Sequence, residues 1–169
     1  MRTLTLPKKG NNVWSEGWHT VVITKAKYGE YNDSKYIDVW FEGYPDNFNM
    51  RVYEKKNKAG EEFAIGSVFR FANAGISDAL DSTEGVEVKI DDNPESLVGS
   101  TVNIFLYKDG KYSKVLGKIA PVEFTNVVET ISENDVTYYK GAAEKFYKQY
   151  IYPKINREME TVATDDMPF

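Results

Sequence analysis

The chain has 169 residues, with 21 Lys and Arg against 26 Asp and Glu, one His and no Cys. Its length fits one domain with an extension. The lack of Cys excludes disulfides, a thiol nucleophile and a cysteine zinc site. The net charge of −5 weighs against a uniformly basic, polyanion-binding surface, but the excess is uneven. Residues 1–118 hold 16 bases and 17 acids, whereas residues 119–169 hold 5 and 9, so the body is near neutral and can still segregate its charges. No apolar run has the length of a membrane span, and a soluble, cytoplasmic protein is the expectation.

Residues 1–16 read as an N-terminal arm, because Pro7, Gly10, Asn11 and Asn12 favour neither helix nor strand. Gly17 to Lys27 is rich in β-branched residues and predicts a first strand, with a loop over Tyr28–Ser34. Lys35–Gly43 alternates cleanly: Ile37, Val39 and Phe41 fall on one face, Tyr36, Asp38 and Trp40 on the other. A turn at Tyr44–Asn47 leads to a third strand, Phe48–Tyr53, with Arg51 and Tyr53 on its polar face. The period then changes. Phe63, Val68, Phe69, Ala72, Ile76 and Leu80 predict a helix over Glu61–Leu80, weakened at Gly75. Val86, Val88 and Ile90 alternate as a short strand would. Asn93-Pro94-Glu95 reads as a helix start and Gly99 as its close. Thr101–Tyr107 is a strong strand, Asp109-Gly110 marks a hairpin, and Tyr112–Phe124 returns, bent at Gly117 and Pro121.

A helix between the third and fourth strands of a five-stranded chain is the order of an OB-fold, so a mainly β, partly open barrel is expected over residues 17–126. A small α+β sheet is the rival arrangement. Residues 127–156 form a helical extension. Ser132 or Asp135 would cap it, Val136, Tyr139, Ala143, Phe146 and Tyr150 would form an apolar stripe packed on the barrel or on a second subunit, and Pro153 would end it. Residues 157–169 read as a flexible acidic tail.

A catalytic reading finds little support. His19 lacks an evident partner, there is no phosphate-cradling glycine loop or serine-nucleophile motif, and no cofactor or metal site is indicated. A binding surface is better supported. Tyr36, Trp40, Tyr53, Phe105, Tyr107 and Tyr112 are candidates for stacking on unpaired bases. Lys25, Lys27, Lys35, Arg51, Lys55, Lys56, Lys108, Lys111 and Lys114 are candidates for phosphate contact. Single-stranded nucleic acid calls for both kinds of residue. Burial of the same aromatics beneath a helix is the competing expectation.

The final residues, Asp165-Asp166-Met167-Pro168-Phe169, combine acids with a terminal aromatic. They resemble the acidic C-terminal tip of bacterial and phage single-stranded DNA-binding proteins, which recruits replication and repair partners. Gly17-Trp18-His19-Thr20, Lys35 to Gly43 and Leu97-Val98-Gly99 are loosely similar to phage members of that group. The resemblance implies an OB-fold, non-enzymatic protein, monomeric or homodimeric, that coats exposed DNA during phage replication and recombination and docks partners through Asp165, Asp166, Met167, Pro168 and Phe169. A β-rich adaptor or virion component that binds no nucleic acid is the alternative.

Overall fold

A computed structural model describes residues 1–6, 14–83 and 85–155. The chain is mainly β with a C-terminal helix. Its principal sheet is antiparallel and takes the order β3-β2-β1-β6-β7. The strands are β1 (Gly17–Tyr31), β2 (Ser34–Phe41), β3 (Met50–Tyr53), β6 (Thr101–Asp109) and β7 (Tyr112–Val115). Among the described residues no ladder joins β3 to β7, so the sheet is not closed into a barrel.

Strand β1 is longer than its sequence pattern indicates. Residues 17–22 pair with β6 and residues 23–31 with β2, with a register shift between Ile23 and Lys25. A bulge of this kind bends and twists a strand, which lets one strand serve two directions of sheet. The expected loop over Tyr28–Ser34 shrinks to Asn32-Asp33, both left-handed (φ 49° and 66°). Two such residues make the tight turn that matches strand twist, and Asn and Asp tolerate that conformation. Tyr28 and Tyr31 therefore lie on β1 and not in a loop.

Alternation sends Ile37, Val39, Phe41, Met50, Val52, Val102, Ile104 and Leu106 to one buried core. Helix α1 (Ala64–Phe71) adds Ile65, Val68 and Phe69. Its N-terminus is held by Glu62, whose carboxylate accepts from the main-chain N–H of Lys55, Ala64, Ile65 and Gly66. These include donors that a first helical turn otherwise leaves unpaired.

The helix expected over 61–80 ends at Phe71. Asn73 and Gly75 take left-handed φ (52° and 68°) and turn the chain away. Ile76 and Leu80 then belong to β4 (Ile76–Ser82), which pairs with β5 (Gly85–Ile90) as a separate two-stranded ribbon. At Gly75 a Cβ would overlap the Asp91 carbonyl, so the position admits no side chain. Asn93 caps a 3₁₀ turn at Pro94–Leu97 as its sequence predicts.

After β7 a small ladder of β8 (Phe124–Thr125) and β9 (Thr130–Ile131) leads to α2 (Glu133–Phe146). Ser132 and Asp135 form a reciprocal capping box at its start. Pro153 does not end the helix: a π-helical turn at Tyr147–Ile151 precedes it, and helix continues to Ile155. The wider turn relieves the clash a proline ring makes with the preceding turn. The helix packs on the body through Tyr139 and Ala143 of the expected stripe, while Tyr150 is exposed and Tyr147, outside the stripe, makes the contact to β6. Tyr139 meets Phe71 at 4.7 Å, Tyr147 meets Phe105 at 5.1 Å, and Trp18 Nε1 donates to Glu144 at 3.0 Å. In the expected N-terminal arm, Trp14 packs edge-on against Phe48 at 4.7 Å, so it belongs to the body.

The Tyr28 hydroxyl donates to the Asp92 carbonyl at 2.8 Å and ties β1 to the segment before the 3₁₀ turn. Burial, then the charges of Asp92 and Glu62, push its pKa up to about 12. The neutral hydroxyl is thus favoured by folding. Its contribution to stability is complete below about pH 10 and is lost as pH rises toward about 12. Denaturant midpoints measured across that window should fall, and Tyr28→Phe should flatten the fall; an identical slope in the variant contradicts this assignment.

Candidate nucleic-acid interface

The outward faces of β1, β2 and β3 align in three rows fixed by strand register. Lys25 pairs with Trp40; Lys27 pairs with Asp38, which pairs with Arg51; Gly29 pairs with Tyr36, which pairs with Tyr53. Alternation puts these side chains opposite Ile37, Val39, Met50 and Val52, away from the core.

Each aromatic is held in place. Trp40 Nε1 donates to the Asp46 carbonyl at 2.8 Å, and the Lys25 ammonium lies 4.7 Å from the Trp40 ring centre. Tyr36 meets Tyr53 edge-on at 5.6 Å, with the Arg51 guanidinium 3.8 Å from the Tyr36 ring centre. Gly29 makes this arrangement possible: a Cβ there would overlap the Tyr36 ring, so the ring lies across bare backbone. Tyr36 and Trp40 remain part-exposed and Tyr53 exposed, as base stacking requires.

The charges differ from the sequence reading. Arg51 binds Asp38 through two parallel hydrogen bonds of 2.8 and 2.9 Å. The hydrogen bonds to Asp38 hold the guanidinium pKa above its ordinary value. Arg51 thus works as a brace under Tyr36 more than as a free phosphate ligand. Lys25 and Lys27 are exposed, and Lys35 is exposed at the turn end of β2, opposite Glu30. Lys56 lies 3.7 Å from Glu54, Lys114 bonds Asp109 at 2.6 Å, and Lys108 donates to Ser113. Lys111 and the exposed Tyr112 sit together at the hairpin tip, the ammonium 5.6 Å from the ring.

Phe105 and Tyr107 do not join this surface. They occupy the outward face of β6, where Tyr147 covers both, at 5.1 and 5.2 Å. Covering by the C-terminal helix prevails here. Tyr107 also borders a groove of about 270 Å³ between β3 and β7, lined in addition by Asn49, Arg51, Ser113 and Lys114. The groove borders Arg51 of the middle row on one side and the β6–β7 hairpin on the other. Lys55 is drawn instead to α2, over Phe146. Asp165, Asp166, Met167, Pro168 and Phe169 lie outside the described residues.

Sequence reasoning missed Gly29 and the Asp38–Arg51 lock. Both were within reach: Asp38 and Arg51 each alternate onto the polar face, and a glycine within a strand marks a close approach. Among the described residues no group of acids and His could hold a metal ion, and no helix is long and apolar enough to cross a membrane. Comparison with family models, with curated proteins and with solved structures finds no match.

Gly29→Ala should lower stability by about 1–3 kcal/mol, the usual cost of overpacking. In a Tyr36→Ala background the same change should cost almost nothing, because the ring it strikes is gone. Equal costs in the two backgrounds, measured by denaturant unfolding, would refute the packing described.

Proposed function

We propose that the chain binds single-stranded DNA, without strong sequence preference, across the outward rows of β1, β2 and β3. The observation that carries the reading is the fixed set Tyr36, Trp40 and Tyr53, rowed with Lys25 and Lys27 on one face. Bases unstacked from a partner strand gain about 1–3 kcal/mol each on such aromatic rings. The flanking ammonium groups neutralise phosphate and release counterions. The proposed activity is binding.

The strand order supports an OB-fold reading for residues 17–126. In that fold the second and third strands present the ligand face, and the first and last hairpin loops flank it. Here the corresponding positions are β2 and β3, the Asn32-Asp33 turn, and the hairpin tip with Lys111 and Tyr112. The groove beside Arg51 and Lys114 gives the strand a course between them. The resemblance of Asp165–Phe169 to partner-recruiting tips rests on sequence alone. It extends the proposal to a phage-type replication or recombination protein that docks its partners through that segment.

Titration with a poly-dT oligonucleotide should quench tryptophan fluorescence in a salt-dependent way. Trp40→Ala should weaken binding by about 1–3 kcal/mol, roughly 5- to 150-fold, while Phe105→Leu, behind Tyr147, should change it little. Absence of binding at low salt, checked by mobility shift, would remove the reading.

A further inference from the structure

Lys55 follows β3 by two residues and Lys118 follows β7 by three. They are distant in sequence, yet both converge on one ring of α2. The Lys118 ammonium lies 4.6 Å and the Lys55 ammonium 5.8 Å from the centre of Phe146. The ion pairs among the described residues engage Arg51, Lys56, Arg70 and Lys114; neither Lys55 nor Lys118 takes part. Burial and then the charge of Lys55 push the Lys118 ammonium below its ordinary pKa. Two neighbouring cations that form no ion pair among the described residues repel each other, and an anion between them removes that repulsion. Tyr150, one turn beyond Phe146 and tilted against it at 5.2 Å, is 52% exposed.

We propose that Lys55, Lys118 and the Phe146–Tyr150 pair form a second subsite for single-stranded nucleic acid, in which the two lysines clasp a backbone phosphate and Tyr150 offers a ring to the adjoining base. The proposal rests on the binding face described above and extends it past the seam of the sheet. Three features favour a nucleic acid strand over an acidic peptide. Lys55 lies two residues past Tyr53 on one continuous segment. A Cβ added at Gly117, beside Lys118, would lie 3.3 Å from the Arg51 carbonyl, so Lys118 follows a residue that runs alongside the same strand. An exposed aromatic accompanies the cations, as base stacking requires and carboxylate binding does not. The subsite assigns α2 a role beyond packing: its C-terminal end lengthens the strand's track.

The test uses the full chain and dT oligonucleotides over a range of salt concentrations. With an oligonucleotide long enough to pass Tyr53, the Lys55→Gln/Lys118→Gln double variant should lower the magnitude of the log K against log salt slope by about 1.4. Counted from equal affinity at about 1 M salt, that corresponds to roughly 25-fold weaker binding at tenth-molar salt. The double Lys→Arg variant should restore the slope, which a purely structural contact with Phe146 does not require. A wild-type slope in the double Gln variant overturns the subsite while leaving the main face intact. Failure of the wild type to bind dT at any salt overturns the main reading instead. An unchanged DNA slope together with lost binding of an oligoglutamate peptide would make the pair a carboxylate site and also overturn the proposal. If the double Gln variant fails to fold, the exposed Lys55→Gln change alone should lower the slope by about 0.7, and an unchanged slope there counts equally against it.

Discussion

The change of partner along β1 is the constraint on which the rest of the structure depends. One strand of 15 residues gives its first part to β6 and its remainder to β2. At the junction Ile23 donates its N–H to Ser100, Gly99 donates to Ile23, and Glu42 donates to Val22. These bonds keep the main chain satisfied where the ladder changes hands, which burial of Ile23 demands. Because the strand bends there, the outward face divides in two. The part bearing Trp18, Phe105 and Tyr107 receives α2. The part bearing Lys25, Lys27, Tyr36 and Trp40 is left open to solvent. The register shift and the seat of the C-terminal helix together separate the covered aromatics from the open ones.

The available face is acidic chemistry held in check. The chain as a whole is negative, and Asp38 stands in the middle row, where it would repel phosphate. Its two oxygens are occupied by Arg51, whose guanidinium in turn covers Tyr36. The pair removes a local negative charge and fixes a ring, at the expense of a free cation. Lys25 and Lys27 then supply the net positive character of the rows. The pair is part-buried, with Asp38 itself buried, so removing Arg51 would leave a carboxylate poorly solvated; its further consequence is the arrangement of the surface.

Much of the strand order was legible from alternation alone. Ile37, Val39 and Phe41 against Tyr36, Asp38 and Trp40 fall on opposite faces by their period alone. The hairpin at Gly110 and the caps at Asn93 and Ser132 were also readable, because local chemistry fixes them. Long-range choices were not. Ile76 and Leu80 continue a helical period, and only the left-handed Asn73 and Gly75 break it. Phe105 and Tyr107 have the same pattern as Tyr36 and Tyr53; the ring that partly covers them is Tyr147, forty residues on, and no local signal carries that. Pro153 ends helices as a rule, and the π-helical turn that accommodates it leaves no clear mark in the sequence. Lys55 and Lys118 could be listed as bases, but their meeting on Phe146 belongs to tertiary structure.

Photocrosslinking of the full chain to an oligo-dT strand carrying 5-iodouracil, with the linked residues located by mass spectrometry, tests the central claim most directly. Crosslinks at Tyr36, Trp40 and Tyr53, with Phe105 spared, are the predicted result. Crosslinks confined to residues away from these rows, such as Tyr138 on the outer side of α2, or none at all at saturating strand, would contradict it.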